Sequence, residues 1–284
     1  MGVPPTVLVT GAGRGIGRST AEAFSDAGWR VVAGVRDVDA GREAYAGRDV
    51  LVTRLDVTDA DSVDAGVAAA EAHAGGALSC LVSNAGYAVL GAVEDVDLAE
   101  VRAMFETNFF GAAAVVQRAL PAMREAGSGT VIFVSSVGAR FANPLVGMYH
   151  ASKYALSAMA EALAVECRPF GVRVVTLEPG MVDTDFPRMT RPAGAGIGEG
   201  RAYAPLLGDL RRGFGAWRQR FPTGPEEVAR LALAAALDRS PAFRVAVGDD
   251  ARHLAGLRAA AADDEAWQDD LVDFLGLDWP RREP

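Results

Sequence analysis

Residues 6–17, TVLVTGAGRGIG, decide the fold. They join an apolar, β-branched run to spaced glycines and then to the start of a helical pattern. In such a turn Gly11 allows a sharp bend, Gly15 lets a pyrophosphate approach the backbone, and Gly17 lets the helix pack closely on the strand. The unpaired N–H groups at the helix start, including that of Ile16, favour an anion. A glycine-rich stretch alone is a weak signal, but its place between strand and helix predicts a dinucleotide-binding turn.

Strand-like runs alternate with helical patterns along most of the chain. The runs are short, rich in valine and apolar on both faces, which is typical of a parallel sheet covered by helices on both sides. The predicted strands are TVLVT (6–10), RVVAGV (30–35), VLVTRLD (50–56), LSCLVSNAG (78–86), GTVIFVSS (129–136), VRVVTLEPG (172–180) and FRVAVG (243–248). Helices are predicted over 17–28, 38–46, 59–74, 97–126 and 149–168. We predict an α/β fold, a Rossmann-type doubly wound parallel sheet of about seven strands, in a single domain over residues 1–284.

Two regions depart from this alternation. Residues 184–223 carry many Gly, Pro and Arg and then a helical pattern, which predicts an insertion with a flexible front and a helical rear. An ordered connection of that length is usually functional, so we predict a lid over a substrate, with a disordered surface loop as the alternative. Residues 249–284 form a tail with an amphipathic, acidic helix, which packs either on the core or on another subunit.

The composition argues against several classes of protein. The formal net charge is -9 and there is no basic run, which argues against a nucleic-acid-binding surface. No apolar run approaches the roughly 20 residues of a membrane-spanning helix, and the N-terminus lacks the features of a secretory signal. The 2 cysteines and 3 histidines have no metal-ligand spacing. These features predict a cytoplasmic α/β enzyme that holds no metal.

The end of the second strand bears on which dinucleotide binds. An acidic residue there accepts hydrogen bonds from the adenosine ribose and repels a 2′-phosphate. Here Val35 stands at that position, Arg36 follows it, and Arg14 lies in the glycine turn. Because guanidinium groups form bidentate hydrogen bonds with phosphate, the two arginines favour NADP(H) over NAD(H), which stays possible. The alternative is that both are ordinary surface arginines, with Asp37 neutralising Arg36.

Further cofactor contacts are predicted after the third and fourth strands. Asp56 offers a carboxylate to the adenine amine, and Val57 lies beside the ring. A role of Thr58 or Asp59 as a helix N-cap is compatible with that contact. Three small residues after the fourth strand let the backbone pass close to the ribose, with a simple turn as the competing explanation; they are Asn84, Ala85 and Gly86.

Tyr149 and Lys153 lie four residues apart on a predicted helix and therefore share a face. Lys153 is the only lysine among 28 lysine and arginine residues. A phenol titrates near ~10, and a nearby ammonium lowers its pKa by favouring the phenolate. A compact, flexible ammonium can contact ribose hydroxyls and also act on the phenol, which the planar fork of arginine does poorly. We predict that Lys153 tunes Tyr149 as an acid–base group; the alternative is one surface lysine retained by chance.

Two more side chains complete the predicted reacting group. Ser136, at the end of the fifth strand, has a hydroxyl that can orient a substrate carbonyl toward the phenol. Its neighbour Ser135 points to the opposite face of the strand and is assigned a structural role. Asn108, among apolar residues of the long helix, is predicted to hold a water in a proton relay to Lys153. Its alternative role is that of a core amide that satisfies backbone groups.

These motifs together resemble the short-chain dehydrogenase/reductase family over nearly the whole of residues 6–182. In chain order they are Thr10-Gly11-x-x-x-Gly15-x-Gly17, Asn84-Ala85-Gly86, Asn108, Ser136, Tyr149-x-x-x-Lys153 and Pro179-Gly180. The stretches VVAGVRD and SSVGARFANPLVGMYHASKYALSAMAEAL are similar to the branch of hydroxysteroid and retinol dehydrogenases. The resemblance implies a hydride passed from nicotinamide C4 to a carbonyl carbon, with a proton from Tyr149. It implies a catalytic tetrad of Asn108, Ser136, Tyr149 and Lys153. The residues it places around the nicotinamide and its carboxamide are Pro179, Gly180, Val182 and Thr184.

The expected function is that of an NADP(H)-dependent oxidoreductase interconverting a ketone or aldehyde with an alcohol. The candidate substrate walls are mostly apolar, which predicts a bulky hydrophobic substrate such as a steroid, a polyketide intermediate or a terpenoid. They are Val137, Phe141, Leu145, Met148, Phe186 and parts of 188–220. Ordinary core packing is the alternative for Phe141, Leu145 and Met148.

Two rival functions stay open at this point. One is an epimerase or dehydratase on the same fold, and the other is a non-catalytic, cofactor-sensing protein. The family also implies a homodimer or homotetramer that assembles through the helices at 97–126 and 149–168.

Overall fold

The predicted strands form one parallel sheet. A computed structural model describes residues 4–184, 191–192 and 202–278. The strands of the 7-stranded sheet are β1 (Thr6–Thr10), β2 (Arg30–Val35), β3 (Val50–Arg54), β4 (Cys80–Ser83), β6 (Gly129–Val134), β7 (Val172–Pro179) and β9 (Arg244–Val247); β5 (Val89–Leu90) and β8 (Arg191–Pro192) pair separately. Their order is β3-β2-β1-β4-β6-β7-β9, and every pairing is parallel. The predicted Rossmann-type fold is thereby confirmed.

Helices cover both faces of the sheet. They are α1 (Gly15–Asp26), α2 (Val38–Ala44), α3 (Ala60–Ala74), α4 (Leu98–Phe105), α5 (Gly111–Glu125), α6 (Gly147–Glu166), α7 (Ala204–Arg220), α8 (Pro225–Leu237), α9 (Asp249–Ala260) and α10 (Asp264–Leu275). Aspartate side chains cap the N-termini of α2, α3, α4 and α10 by accepting from backbone N–H groups. Among these described helices, none is long and apolar enough to cross a membrane.

The period of two along each strand sorts its side chains into two separate cores. In β1, Leu8 points into a cluster with α3, α5 and α6. Its neighbours Val7 and Val9 point into the cluster on the other face, with α1 and α8. All three are fully buried. Apolar residues on both faces therefore reflect helices on both sides of the sheet.

The strand order creates a crevice at the predicted site. From β1 the chain moves outward through β2 and β3 and then returns to place β4 on the other side of β1. Ligands of such sheets bind outside the carboxyl ends of the strands, where this order reverses. The glycine turn follows β1, Asn84 follows β4, Ser136 follows β6, and Gly180 follows β7. The fold thus brings the predicted motifs to one edge.

The helix predicted over 97–126 is interrupted at Glu106–Phe110. This π-helical turn separates α4 from α5. Such turns are rare and often occur at functional sites. Here the turn contains Asn108, which is only 1% exposed. At its end a Cβ on Gly111 would lie 2.7 Å from the Val57 carbonyl oxygen, so glycine lets the helix pass close to the strand end.

The C-terminal tail packs on its own chain. It contains α9 and α10, whose apolar residues share a cluster with α7, the helical rear of the predicted insertion. The rings of Trp267 and Phe141 have centroids 5.2 Å apart, and those of Phe274 and Trp217 meet edge-on at 4.8 Å. The structure therefore shows the first of the two predicted arrangements. The front of the insertion lies outside the described residues except for 191–192, whose backbone pairs with β5.

A buried carboxylate joins the end of β7 to its neighbours. Glu178 is fully buried and accepts hydrogen bonds from Arg140 Nε (2.5 Å) and Arg244 Nη1 (2.9 Å). Arg244 also donates to Glu161 of α6 through Nη2 (2.7 Å). Because Arg140 ends the short 3-10 turn that begins after Ser136, this network joins that turn to β7 and β9.

We expect Glu178→Gln to destabilise the fold by about 3 kcal/mol, because removing one partner of a buried ion pair leaves the others uncompensated. Urea unfolding followed by circular dichroism measures this loss. The matched control is Glu161→Gln, at the exposed end of the same network, where the side chain is 65% exposed. An exposed ion pair contributes less than about 1 kcal/mol, so the control should unfold almost as the wild type does. If both variants lose the same unfolding free energy, burial of Glu178 is not what makes its ion pairs important.

Candidate active site

The glycine turn has the backbone that its sequence predicts. Gly11 and Gly15 have φ 65° and 52°, in the left-handed region that favours glycine. A Cβ on Gly17 would lie 2.4 Å from the Gly11 carbonyl oxygen, so α1 can approach the turn only with glycine there. The N-cap residue Arg14 makes no side-chain hydrogen bond to the first turn of α1, which suits a bound phosphate. Ile16 is half-buried and packs against the core on that face.

Three side chains hold this turn in place. Asn84 Nδ2 donates to the Thr10 carbonyl (2.9 Å), and the Thr10 hydroxyl accepts from the N–H groups of Asn84 (3.0 Å) and Ala85 (3.1 Å). The hydroxyl of Tyr45 donates to the Ala12 carbonyl (2.5 Å), and burial raises the pKa of this phenol. The structure thus gives Asn84 a supporting role, while its contact with a ribose stays a prediction. Nothing in the sequence singles out Tyr45, because it follows a short helix and belongs to no motif.

Arg14 and Arg36 are both exposed beside the turn. Neither forms an ion pair with any residue that the structure describes. Asp37 caps α2 by accepting from the Ala40 N–H (3.0 Å), so its carboxylate is engaged with the helix rather than with Arg36. Val35 is buried, 4% exposed, and offers no acid to a ribose.

Asp56 remains available as an acceptor. Burial raises its pKa, but hydrogen bonds from Thr58 and the charges of nearby arginines outweigh this, and the net pKa is lowered. Thr58 donates through its N–H (3.1 Å) and its hydroxyl (2.8 Å) to one carboxylate oxygen. The N-cap of α3 is Asp59, which leaves Asp56 outside the helix. Val57 is buried beneath Gly111, and the adenine contacts of both residues stay predictions.

Ser136 and Tyr149 meet at the carboxyl end of β6. The Oγ of Ser136 accepts from the Gly138 N–H (3.0 Å), which fixes the serine at the start of its turn. Tyr149 lies on the first turn of α6, and Ser136 is close enough to its hydroxyl to lower the pKa of the phenol. A substrate oxygen that reaches this pair would meet two hydroxyl groups. Ser135 faces the other way and is hydrogen-bonded to Ser157 (2.9 Å), a structural role as predicted.

The loop that leads into α6 is tightly held. Leu145 has φ 61°, a left-handed conformation that is strained for a branched side chain. Its carbonyl accepts from the Gly91 N–H (2.7 Å). His150 Nδ1 donates to the Phe141 carbonyl (2.7 Å), and burial lowers the pKa of this imidazole. These contacts set the position of Tyr149 at the start of the helix.

The pKa of Tyr149 differs from the expectation. Burial raises it to about 12, and the hydrogen bond with Ser136 only partly opposes this. Lys153 Nζ lies 5.9 Å from the centre of the Tyr149 ring and donates instead to the Val134 carbonyl (3.0 Å). Since burial outweighs the distant ammonium, the phenol is protonated at neutral pH and is set up to donate a proton.

Lys153 occupies a buried position next to Gly86. The lysine is 5% exposed, and burial lowers its pKa to about 8. A Cβ on Gly86 would lie 3.6 Å from Lys153 Nζ and 3.0 Å from Asn108 Oδ1. The absence of a side chain at Gly86 therefore gives these two groups room at the crevice.

Lys153 should make the stability of the fold rise with pH. Its pKa falls from 10.5 in the unfolded chain to about 8, so between these values the unfolded chain binds more protons than the folded one. The penalty for burying the ammonium is complete below the lower value and disappears as the pH rises to the upper one. From pH 8 to pH 10, the unfolding free energy of wild type minus that of Lys153→Met should increase by about 2 kcal/mol. Urea titrations at both pH values measure it, and a flat difference would contradict the buried ammonium.

Asn108 is held by protein groups on both sides of its amide. Its Oδ1 accepts from the Tyr87 N–H (3.0 Å), and Nδ2 donates to the Tyr87 carbonyl (2.9 Å) and Ser152 Oγ (3.0 Å). Ser152 in turn donates to the Tyr149 carbonyl (2.7 Å). Both Nδ2 hydrogens are used, which agrees with the core-amide alternative, and only Oδ1 keeps a lone pair for a water. The relay to Lys153 stays a prediction. Ser152 was absent from the predicted site although it lies within the motif YHASK.

The candidate substrate walls fall into two groups. Three are buried in the cluster with α7, α9 and α10; they are Val137, Phe141 and Leu145. For Phe141 and Leu145 this agrees with the alternative of ordinary core packing. Met148 is half-buried and packs in the same cluster as Tyr149. Phe186 lies outside the described residues.

The segment after β7 passes over the glycine turn. A Cβ on Gly15 would lie 3.6 Å from Thr184 Cβ, so the two motifs face each other across the crevice. Pro179 ends β7 and pairs with Val247, while Val182 packs against the core on the side of α1. The residues that the resemblance places around a nicotinamide therefore lie at the same edge as the phosphate turn.

Known proteins share this sequence and fold. The sequence profile of the short chain dehydrogenase family matches residues 5–194. Oxidoreductase BOA17 of Botryotinia fuckeliana is 32% identical over 274 residues, which cover 92% of this chain and 96% of that protein. A short-chain dehydrogenase structure from Streptomyces avermitilis is 34% identical with a TM-score of 0.77, over 91% of this chain and 95% of that one. A short chain dehydrogenase from Burkholderia cenocepacia, solved in complex with NADP, is 27% identical with a TM-score of 0.73, over 96% and 99%.

The matched region includes every motif of the crevice. It spans the glycine turn, Ser136 and Tyr149, and Lys153 on the same helix face. The relative from Botryotinia extends the match over nearly the whole chain. The chain therefore belongs to the short-chain dehydrogenase family of oxidoreductases.

Proposed function

We propose that this chain is an NADP(H)-dependent oxidoreductase that interconverts a ketone or aldehyde with an alcohol. The observation that carries the proposal is the pairing of the Ser136 and Tyr149 hydroxyls at the carboxyl end of β6, where Ser136 lowers the pKa of Tyr149, with Lys153 on the same face of α6. A half-buried, protonated phenol beside a fixed serine is suited to donate a proton to a carbonyl oxygen. This arrangement favours a catalytic function over the alternative of a non-catalytic, cofactor-sensing protein.

The residues of the crevice suit a dinucleotide. The uncapped start of α1 offers donors for the phosphates, and glycines at 11, 15 and 17 keep the turn clear of side chains. Lys153 would hold the ribose next to Gly86, and Thr184 would lie over the phosphate turn. When bound, the nicotinamide supplies the hydride. Ser136 orients the carbonyl oxygen, and Tyr149 gives it the proton from its hydroxyl.

The choice of NADP(H) rests on Arg14 and Arg36. Both side chains are exposed at the crevice without an ion-pair partner among the described residues, so both are available to a 2′-phosphate. No acid follows the buried Val35 to accept from a ribose, because Asp37 is used as a helix cap. The homologue from Burkholderia cenocepacia was solved with NADP and one from Brucella melitensis with NADH, so the choice depends on the two arginines.

Arg36→Ala should weaken NADPH binding by about 10- to 100-fold, as expected for loss of a hydrogen bond between charged groups. NADH lacks the 2′-phosphate, and its affinity should change by less than about threefold. Isothermal titration calorimetry with both dinucleotides measures the effect. The matched control is Arg42→Ala, an equally charged and exposed residue of α2 that pairs with Asp39. If NADPH affinity is the same in all three proteins, Arg36 does not read the phosphate.

The proposed substrate is a bulky hydrophobic carbonyl compound. Met148 lies beside Tyr149, and the apolar cluster of α7 and the tail adjoins the turn that carries Ser136. A panel of steroid, terpenoid and small charged ketones with NADPH, followed at 340 nm, tests both substrate and reaction. Net consumption of NADPH on the large apolar members supports the proposal. Turnover of substrate without that consumption would instead support an epimerase or dehydratase.

We also propose that the chain forms a homo-oligomer through α4, α5 and α6. Large apolar side chains are exposed on α4 and α6, on the π-helical turn before α5 and on the turn after α6; they are Leu98, Phe110, Tyr154, Val165 and Phe170. A second copy of the same face would cover them. Size-exclusion chromatography with light scattering gives the mass that distinguishes a monomer from a dimer or tetramer.

A further inference from the structure

Asp250 is a fully buried carboxylate that no motif of the family site includes. It lies on the first turn of α9, in the C-terminal tail, and is 0% exposed. A buried carboxylate must be hydrogen-bonded to be tolerated. Its Oδ2 accepts from the Met181 N–H (2.6 Å), and its Oδ1 accepts from the Ala251 N–H (2.7 Å). The tail thus makes a direct hydrogen bond to the segment that follows β7.

Two glycines make room for this carboxylate. A Cβ on Gly180 would lie 2.1 Å from Asp250 Oδ2, and a Cβ on Gly248 would lie 2.5 Å from Oδ1. Any other residue at 180 would therefore displace the carboxylate or the segment itself. The glycine of the Pro179-Gly180 pair is explained in this chain by a contact with the tail.

The whole segment 180–184 is held by the C-terminal part of the chain. The Gly180 N–H donates to the Val247 carbonyl (3.1 Å), and the Asp183 N–H donates to the Thr223 carbonyl (2.8 Å). Asp250 supplies the acceptor between these two, at Met181. At the far end of the segment, Thr184 lies over Gly15 of the phosphate turn. Three groups of the C-terminal part of the chain therefore hold the segment above the crevice, and of these Asp250 alone lies in the tail.

The same carboxylate faces α7. The indole N–H of Trp217 is directed at Asp250 closely enough to lower the pKa of that acid, although the geometry falls short of a hydrogen bond. Burial acts in the opposite direction and leaves the pKa raised. Asp250 thus stands where three parts of the structure meet, namely the segment after β7, α7 and α9.

We propose that Asp250 is a positioning residue that holds segment 180–184 against the nicotinamide half of the bound dinucleotide. The inference rests on the proposed function, since it assumes that a nicotinamide lies beneath this segment. The adenosine half would lie near Arg14 and Arg36, which follow β1 and β2, whereas the hydrogen bonds of Asp250 go to Met181 and Ala251. Loss of the carboxylate should therefore weaken binding of the whole dinucleotide and leave binding of its adenosine half unchanged.

The test compares NADPH with 2′,5′-ADP, which lacks the nicotinamide, by isothermal titration calorimetry. For Asp250→Asn we expect NADPH to bind about tenfold more weakly. The carboxylate accepts through two oxygens, whereas the neutral amide of asparagine has only one oxygen and can accept from only one of the two N–H groups well. The affinity for 2′,5′-ADP should stay within about twofold of wild type. The matched control is Asp249→Asn, whose side chain is 79% exposed and pairs with Arg252; both affinities should match wild type.

Each outcome decides the proposal. Equal NADPH affinity in wild type and Asp250→Asn overturns it, and so does a parallel loss of both ligands. If Asp250→Asn shows no cooperative thermal unfolding, Gly180→Ala takes its place, because its methyl group displaces the same carboxylate and should give the same selective loss. If wild type itself binds 2′,5′-ADP but neither NADPH nor NADH, the proposed function fails first and the inference fails with it.

Discussion

Tyr149→Phe should lower kcat by about 10²- to 10⁴-fold on any substrate that the wild type reduces, the range expected for loss of a general acid. The substitution removes one hydroxyl and keeps the ring, which packs in the cluster with Met148. Burial raises the pKa of this hydroxyl to about 12, and Ser136 opposes this only partly, so the hydroxyl carries a proton throughout the neutral range.

The measurement has two parts. Steady-state rates followed at 340 nm give the loss of kcat, and calorimetry with NADPH shows whether the dinucleotide still binds. We expect the affinity for NADPH to change by less than about threefold, because the phenol acts on the substrate oxygen. Tyr154→Phe is the matched control, since it lies on the same helix with 43% of its surface exposed. A Tyr149→Phe enzyme that turns over at the wild-type rate would remove Tyr149 from the mechanism.

The fold was predictable because its signals are local. Alternation of valine-rich runs with helical patterns fixes a parallel sheet, and glycine at 11, 15 and 17 marks one particular turn between the first strand and helix. The structure reproduces these elements, and Gly17 shows why, since a Cβ there would collide with the Gly11 carbonyl. Such short-range constraints are visible in a single sequence.

The contacts that support the site were not predictable, because they join residues far apart in the chain. Hydrogen bonds join Asp250 to Met181, Tyr45 to Ala12, and Arg140 to Glu178, and no local sequence pattern predicts any of the three. The pKa of Tyr149 shows the same limit. The spacing of Tyr149 and Lys153 suggests a phenol tuned by an ammonium, but burial, which depends on the whole fold, has the larger effect and the opposite sign.

Lys153→Arg should lower kcat/KM by about 10²-fold, because a misplacement of about 1 Å at a reacting group costs that much. The positive charge is retained, so the prediction isolates shape. Lys153 Nζ lies in a confined position, hydrogen-bonded to the Val134 carbonyl and close to Gly86. A planar guanidinium is larger and cannot make the same contact from the same stem. An arginine-rich chain that keeps one lysine here suggests that charge alone is not sufficient.

Lys153→Met supplies the comparison, because it removes the charge as well as the contact. If the shape of the side chain matters, both variants should have a reduced kcat/KM. The arginine variant should then keep at most about a tenth of the wild-type kcat/KM. Thermal unfolding separates a loss of function from a loss of fold in both variants. Should Lys153→Arg instead work as well as the wild type, any cation would serve beside Tyr149, and the single lysine would be an accident of composition.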